Sequence, residues 1–175
     1  FWTRVCVRAV IVCLAACTAS KTQDQGHRPH PHAHLLFVCR SSVSGHDTSP
    51  VMDAPLNVLG TPLKACSHSP LTGWYRDGCC NTDATDTGSH TVCAQVTEEF
   101  LEYIKLLGND LMTPAPAAGF PGLKEGDCWC VCAVSWGQAF AAGQACPVDL
   151  ESTHAKALQS VPLQELMAHA EAEEA

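Results

Sequence analysis

Apolar and polar positions follow two periods along this chain, and the clearest run is helical. Phe100, Leu101, Ile104 and Leu107 fall on one stripe at helical spacing. Thr97 stands where a hydroxyl caps a first turn, Glu98 and Glu99 suit that turn, and Gly108 marks its end. Two stretches have the period of a strand instead. Residues 90–96 are β-branched and alternating, and residues 127–133 read as a buried strand. In an extended chain Cys128, Cys130 and Cys132 project to one face of that strand, with Trp129 and Val131 on the other.

Shorter signals fill the gaps. Residues 56–60 suggest a short strand ending in a turn. Residues 73–80 carry Asp77-Gly78, the pair a type I′ hairpin turn demands, which would set Arg76 opposite Cys79 and Tyr75 opposite Cys80. Pro114, Pro116 and Pro121 make residues 113–122 a rigid loop. Ser135 and Gln138 have capping-box spacing for a helix over residues 135–143. Another helix is expected over residues 153–160, and a last one opening on Pro162 and burying Leu163, Leu166 and Met167. Short strands and helices in no regular alternation predict an α+β fold, a small compact single domain with one Asp-Gly hairpin and three to four short helices. Trp74, Trp129 and Trp136 each lie within an apolar element and read as core.

Composition divides the chain in two. Residues 1–50 read as a targeting segment and disordered linker, and residues 53–171 as the globular domain. The apolar run of residues 9–17 is too short to span a bilayer. It fits an organelle (plastid or mitochondrial) transit peptide or a signal segment, with secretion or lipid anchoring at Cys17 as the alternative. His27, His30, His32 and His34 follow in a polar tract with no periodic apolar residues. Residues 51–175 hold five basic side chains against sixteen acidic ones. A field of that sign repels phosphate backbones, which argues against nucleic acid and favours a basic protein partner, with a homo-oligomer as the other partner expected. An apolar fraction of 46% is enough to build a core.

Candidate chemistry rests on the twelve cysteines. Residues 79–80, 90–96 and 128–132 supply the three best strands. As neighbours in one sheet they would bring Cys80, Cys93, Cys130 and Cys132 together, with Cys79 left more exposed beside the turn. Three readings stay open: a zinc or other soft-metal site, structural disulfides, and buried thiols. Sulfurs meeting unbonded would point to a metal, and sulfurs meeting as disulfides to an oxidising compartment and a structural role.

A separate reading makes Cys93 a nucleophile activated by His90, with Asp77 or Asp110 orienting the ring. Residues 90 and 93 face opposite ways on a straight strand, so that pairing needs a bend or another histidine, such as His154. Arg76, Asp77, Asn109 and Asp110 are polar groups in turns, where ligand sites often lie.

A family resemblance is carried by many ordered runs. They are Asn57-Val58-Leu59-Gly60, Gly73-Trp74-Tyr75-Arg76-Asp77-Gly78-Cys79-Cys80, Gly88-Ser89-His90-Thr91-Val92-Cys93-Ala94 and Gly108-Asn109-Asp110-Leu111. Phe120-Pro121-Gly122-Leu123, Trp129-Cys130-Val131-Cys132-Ala133 and Thr153-His154 continue the series. From about Leu56 to about Ala170 the chain resembles the family catalogued as domain of unknown function 2237. The resemblance implies a small protein, mostly bacterial and also met in photosynthetic eukaryotes, with no established activity. It covers Cys66, Cys79, Cys80, Cys93, Cys130 and Cys132, whereas Cys128 and Cys146 are peculiar to this sequence. Sequence reasoning thus favours a non-enzymatic thiol-bearing or metal-binding accessory or interaction protein over a small enzyme with a cysteine nucleophile.

Overall fold

The best-marked helix forms where its signals stand. In the computed structural model, which describes Cys39 and residues 54–170, helix α1 spans Glu98–Leu106. The Thr97 hydroxyl accepts from the Phe100 N–H at 3.3 Å, satisfying one of the unpaired donors of the first turn. At the other end Gly108 takes φ 93°, and the N–H groups of Gly108 and Asn109 return to the carbonyls of Lys105 and Ile104. That reversal needs a left-handed residue, which glycine supplies without a Cβ clash.

Strands β1 (His90–Gln95) and β2 (Cys128–Cys132) pair antiparallel, with Cys93 opposite Cys130 and Ala94 opposite Trp129. The register slips between His90 and Val92. Helix α2 (Ala133–Ala141) leaves β2 directly, and helix α3 (Leu163–Met167) closes the domain. A short 3-10 turn, Pro116–Ala118, lies between α1 and β2, and another, Ala155–Gln159, between α2 and α3. Among the described residues the architecture is a small α+β domain with a two-stranded sheet and three helices.

Alternation along the strands splits the interior. Val92, Ala94, Trp129 and Val131 join Phe100, Leu101, Ile104 and Trp136 in the main core. Cys93 and Cys130 turn to the opposite side and meet Cys80 and the half-buried Cys66.

Several sequence expectations need correction. Residues 73–80 form turns, not a hairpin: φ is positive at Arg76 (54°) and Gly78 (88°) but not at Asp77 between them. Asp77 Oδ1 instead accepts from the Cys79 N–H at 3.0 Å. The reason is covalent, since the adjacent Cys79 and Cys80 are drawn to different partners, Cys39 and Cys130. Cys79 is accordingly buried rather than exposed. Residues 56 and 57 make isolated bridges to Pro62 and His154 instead of a strand.

Ser135 does not cap α2 but lies buried inside it; the N-terminal flank is Cys132, and the Ala133 N–H is taken by the Ser89 carbonyl at 3.0 Å. In α3 only Leu166 is fully buried, Leu163 is half-buried and Met167 is exposed, because a five-residue helix offers little more than one turn to the core. The expected targeting segment with Cys17, and His27, His30, His32 and His34, lie outside the described residues. Among the described residues no helix is long and apolar enough to cross a membrane.

Candidate functional site

Two features share strand β2. The first is the sulfur centre. Cys93 and Cys130 are brought face to face by the strand register, and threonine hydroxyls fix their backbones: Cys93 N–H donates to Thr153 Oγ1 (3.1 Å) and Cys130 N–H to Thr72 Oγ1 (2.9 Å). Both threonines are fully buried, so each hydroxyl answers a donor that would otherwise lack a partner. Cys66 enters on a loop whose N–H bonds the Gly78 carbonyl at 2.8 Å, and Cys80 follows two residues after that glycine.

Disulfides join Cys66 to Cys93 and Cys80 to Cys130, and a third joins Cys39 to Cys79. The sulfurs of Cys66, Cys80 and Cys93 all lie within 4.8 Å of one another. Of the four sulfurs expected to meet, Cys80, Cys93 and Cys130 do. Cys132 does not join them, and Cys66 takes its place. The register slip at the far end of β1 and the immediate start of α2 remove Cys132 from the alternating row. Cys66 has no strand periodicity to announce it; the resemblance alone marked it. Cys146 lies apart, its thiol pushed up to about 12 by burial.

The second feature is a cleft of about 90 Å³ between the 73–76 turn, the end of α1, the 109–120 loop and β2. Three of the four polar turn residues singled out in the sequence, Arg76, Asn109 and Asp110, line it together with His90. Asp77 is not among them and serves its turn. The Arg76 guanidinium lies 4.9 Å above the Trp129 ring, and Trp74 stacks on His90 at 6.0 Å. Trp136 and Trp129 are core as expected, Trp129 also lining the cleft, whereas Trp74 is half-buried and forms a cleft wall.

His90 Nδ1 pairs with Asp86 Oδ1 at 2.8 Å, and its backbone N–H donates to the other carboxylate oxygen. Burial pushes the Asp86 carboxyl up, but bonds from His90 and the Thr82 hydroxyl outweigh it and hold it below the usual carboxylate range. Asp110 is held low by the Thr113 N–H and hydroxyl, then by Lys105 and the Met112 N–H. The sulfur of Cys93 is thus committed to Cys66 and the ring of His90 to Asp86, in separate neighbourhoods. His154 sits elsewhere, accepting from the Lys156 N–H at the start of a 3-10 turn.

Residues 56–170 match the family model described as an uncharacterized protein conserved in bacteria, DUF2237. The chain belongs to this family. No curated protein matches the chain. Among the described residues the matched span holds every helix and strand, the sulfur centre and the cleft, and leaves out only Cys39 of the disulfide-bonded cysteines.

Proposed function

We propose that this DUF2237 protein is a non-enzymatic, thiol-bearing accessory protein whose four-cysteine centre has two states. Oxidised, Cys66–Cys93 and Cys80–Cys130 are structural cystines. Reduced, the same four sulfurs hold a soft divalent metal such as zinc. The observation that carries this reading is the convergence of Cys66, Cys80 and Cys93 within 4.8 Å, with Cys130 bonded to Cys80. Four thiolates around zinc at about 2.3 Å lie about 3.8 Å apart, so modest side-chain rotation suffices. Each disulfide takes two electrons and two protons from a dithiol reductant, which closes to its own disulfide. Zinc then displaces the four thiol protons, so affinity rises with pH.

The catalytic alternative, Cys93 with His90, requires an accessible thiolate beside a base. Cys93 is 2% exposed and disulfide-bonded, which favours the structural role of the cystine state over a nucleophile. The acid excess supports a basic protein partner as the surface on which such an accessory acts. An oxidising compartment would keep the cystine state.

The test is an anaerobic titration of the reduced full chain with cobalt(II) as a spectroscopic stand-in for zinc. One equivalent should bind with an intense sulfur-to-metal charge-transfer band, absent from the unreduced protein and lost in Cys66→Ser and Cys93→Ser. Reduced protein that stays folded yet shows no such band, or a band unchanged in Cys66→Ser, rejects the metal state.

A further inference from the structure

The cleft beside β2, which Cys130 also lines, carries chemistry that the sulfur centre does not use. Most of its wall is apolar or aromatic, with Trp74, Leu111, Phe120 and Trp129 around it. Phe120 and Trp129 meet edge to face at 5.5 Å, which holds the floor rigid. A few convergent polar groups on such a wall are the usual makeup of a small-molecule site. Its volume of about 90 Å³ holds a handful of waters at about 10–15 Å³ each, or one substituted ring.

Two polar groups there are left with unspent capacity. Asn109 is 8% exposed, and its Oδ1 is buried with no hydrogen-bond partner. Its backbone N–H is occupied in closing α1, so the residue's helix-end duty does not involve the side chain. A buried amide oxygen left without a donor has lost its water and gained nothing in return, a deficit that a bound N–H or O–H removes.

The second is Arg76. Three other cations of this acidic domain find oxygen partners, Lys64 with Glu151, Lys105 with Asp110 and Lys156 with the Asp83 carbonyl, while Lys124 is exposed on the surface away from the cleft. Among the described residues Arg76 has no carboxylate within ion-pair range. It lies over Trp129 and donates one long bond, 3.5 Å, to the Leu71 carbonyl. A guanidinium held over an aromatic face can still offer its edge donors to a carboxylate, which arginine takes bidentately. Asp110, on the same cleft, does not compete for a ligand, because its oxygens already accept from Met112, Thr113 and Lys105.

We propose that this cleft binds a small planar organic carboxylate bearing a hydrogen-bond donor: the carboxylate on Arg76, the ring against Trp129, and the N–H or O–H on Asn109 Oδ1. Binding is tested with the disulfides intact and metal uptake on the reduced chain, so the two proposals fail or succeed separately.

The experiment follows the tryptophan indole N–H resonances of the full chain, disulfides intact, during titration with three probes: 4-hydroxybenzoate, benzoate and 4-cresol. The first has all three features, the second lacks the donor and the third the carboxylate. Saturable shifts of the Trp74 and Trp129 signals are expected. Benzoate and 4-cresol should each bind about tenfold or more weakly than 4-hydroxybenzoate, the ratio for one lost hydrogen bond or ion pair. Arg76→Gln should bring 4-hydroxybenzoate down to the affinity of 4-cresol while leaving 4-cresol unchanged, and Arg76→Lys should restore part of the loss. Asn109→Leu, where near-ultraviolet dichroism shows it folded, should erase the preference for 4-hydroxybenzoate over benzoate. Absence of saturable shifts with all three probes overturns the proposal. So does equal binding of the three, or an Arg76→Gln variant that weakens 4-cresol as much as 4-hydroxybenzoate.

Discussion

Residues 54–89 and 90–170 are held together by different means. Every helix and strand belongs to the second stretch, and so does every buried member of the main core except Val58. The first stretch has neither helix nor strand and buries little aliphatic surface beyond Val58 and Leu63. What shapes it instead is cystine and side-chain-to-backbone bonding. All three disulfides have an end within it. Asn57 alone accepts from the N–H groups of Leu59 and Thr61 and donates to the Thr61 hydroxyl and the Glu151 carbonyl. Asp83 likewise gathers Thr85 and Tyr75, which brings its carboxyl down to about 2. A segment too polar to fold by burial can still be ordered if its backbone groups are answered locally and its ends are tied covalently.

That contrast is open to direct attack, beginning with the largest effect. Phe100→Ala, at a position with no exposure, should cost about 3–5 kcal/mol by urea denaturation, with or without reductant. Replacing Cys80 and Cys130 together by alanine opens a link of sequence separation 50 and should cost up to about 4 kcal/mol under oxidising conditions. With reductant the gap between variant and parent should close. A gap that persists would mean the two sulfurs act by packing, and the contrast between the regions would weaken.

Glycines sharpen it further. Gly73 has φ 95°, and a Cβ there would run into the Cys79 carbonyl. Gly126 has φ 87° with open space around it. Gly73→Ala should therefore cost about 2–3 kcal/mol and Gly126→Ala about 1 kcal/mol, the strain of a left-handed alanine alone. Equal thermal shifts for the two would show that the 73–79 turn yields to fill, unlike a packed core.

The smallest effect is acidic. Burial, and then the Lys156 charge, pull the His154 pKa below its usual value. Its folded pKa thus lies under the unfolded value of about 6.5, so the unfolded chain binds the proton first. The stability this group contributes is present above about pH 6.5 and is lost as pH falls toward the folded pKa. His154→Asn keeps a side-chain acceptor for the Lys156 N–H without titrating, so its thermal midpoint should fall less than the parent's between pH 7.5 and 5.5. A parallel fall would assign the acid sensitivity to other groups.

Local physics made α1, β1 and β2 legible in advance. A capped stripe with Thr97 before it and Gly108 after it, and alternation through Val92 and Trp129, specify their elements almost without context. The split of Trp129 and Val131 from Cys130 followed from the strand period alone. Other outcomes depended on partners distant in sequence. Asp77-Gly78 has the chemistry of a hairpin, yet Cys79 and Cys80 leave for Cys39 and Cys130, and the turn takes the shape those bonds allow. Cys66 replaces Cys132 in the sulfur centre because a loop, with no period to read, delivers it there. Arg76, Asn109 and Asp110 were recognisable as polar turn residues, but only the tertiary fold sets them around one cleft with Trp74, His90 and Trp129. Periodicity carries information about the face of an element that looks inward, whereas which loops meet on that face is decided by contacts between residues far apart in the chain.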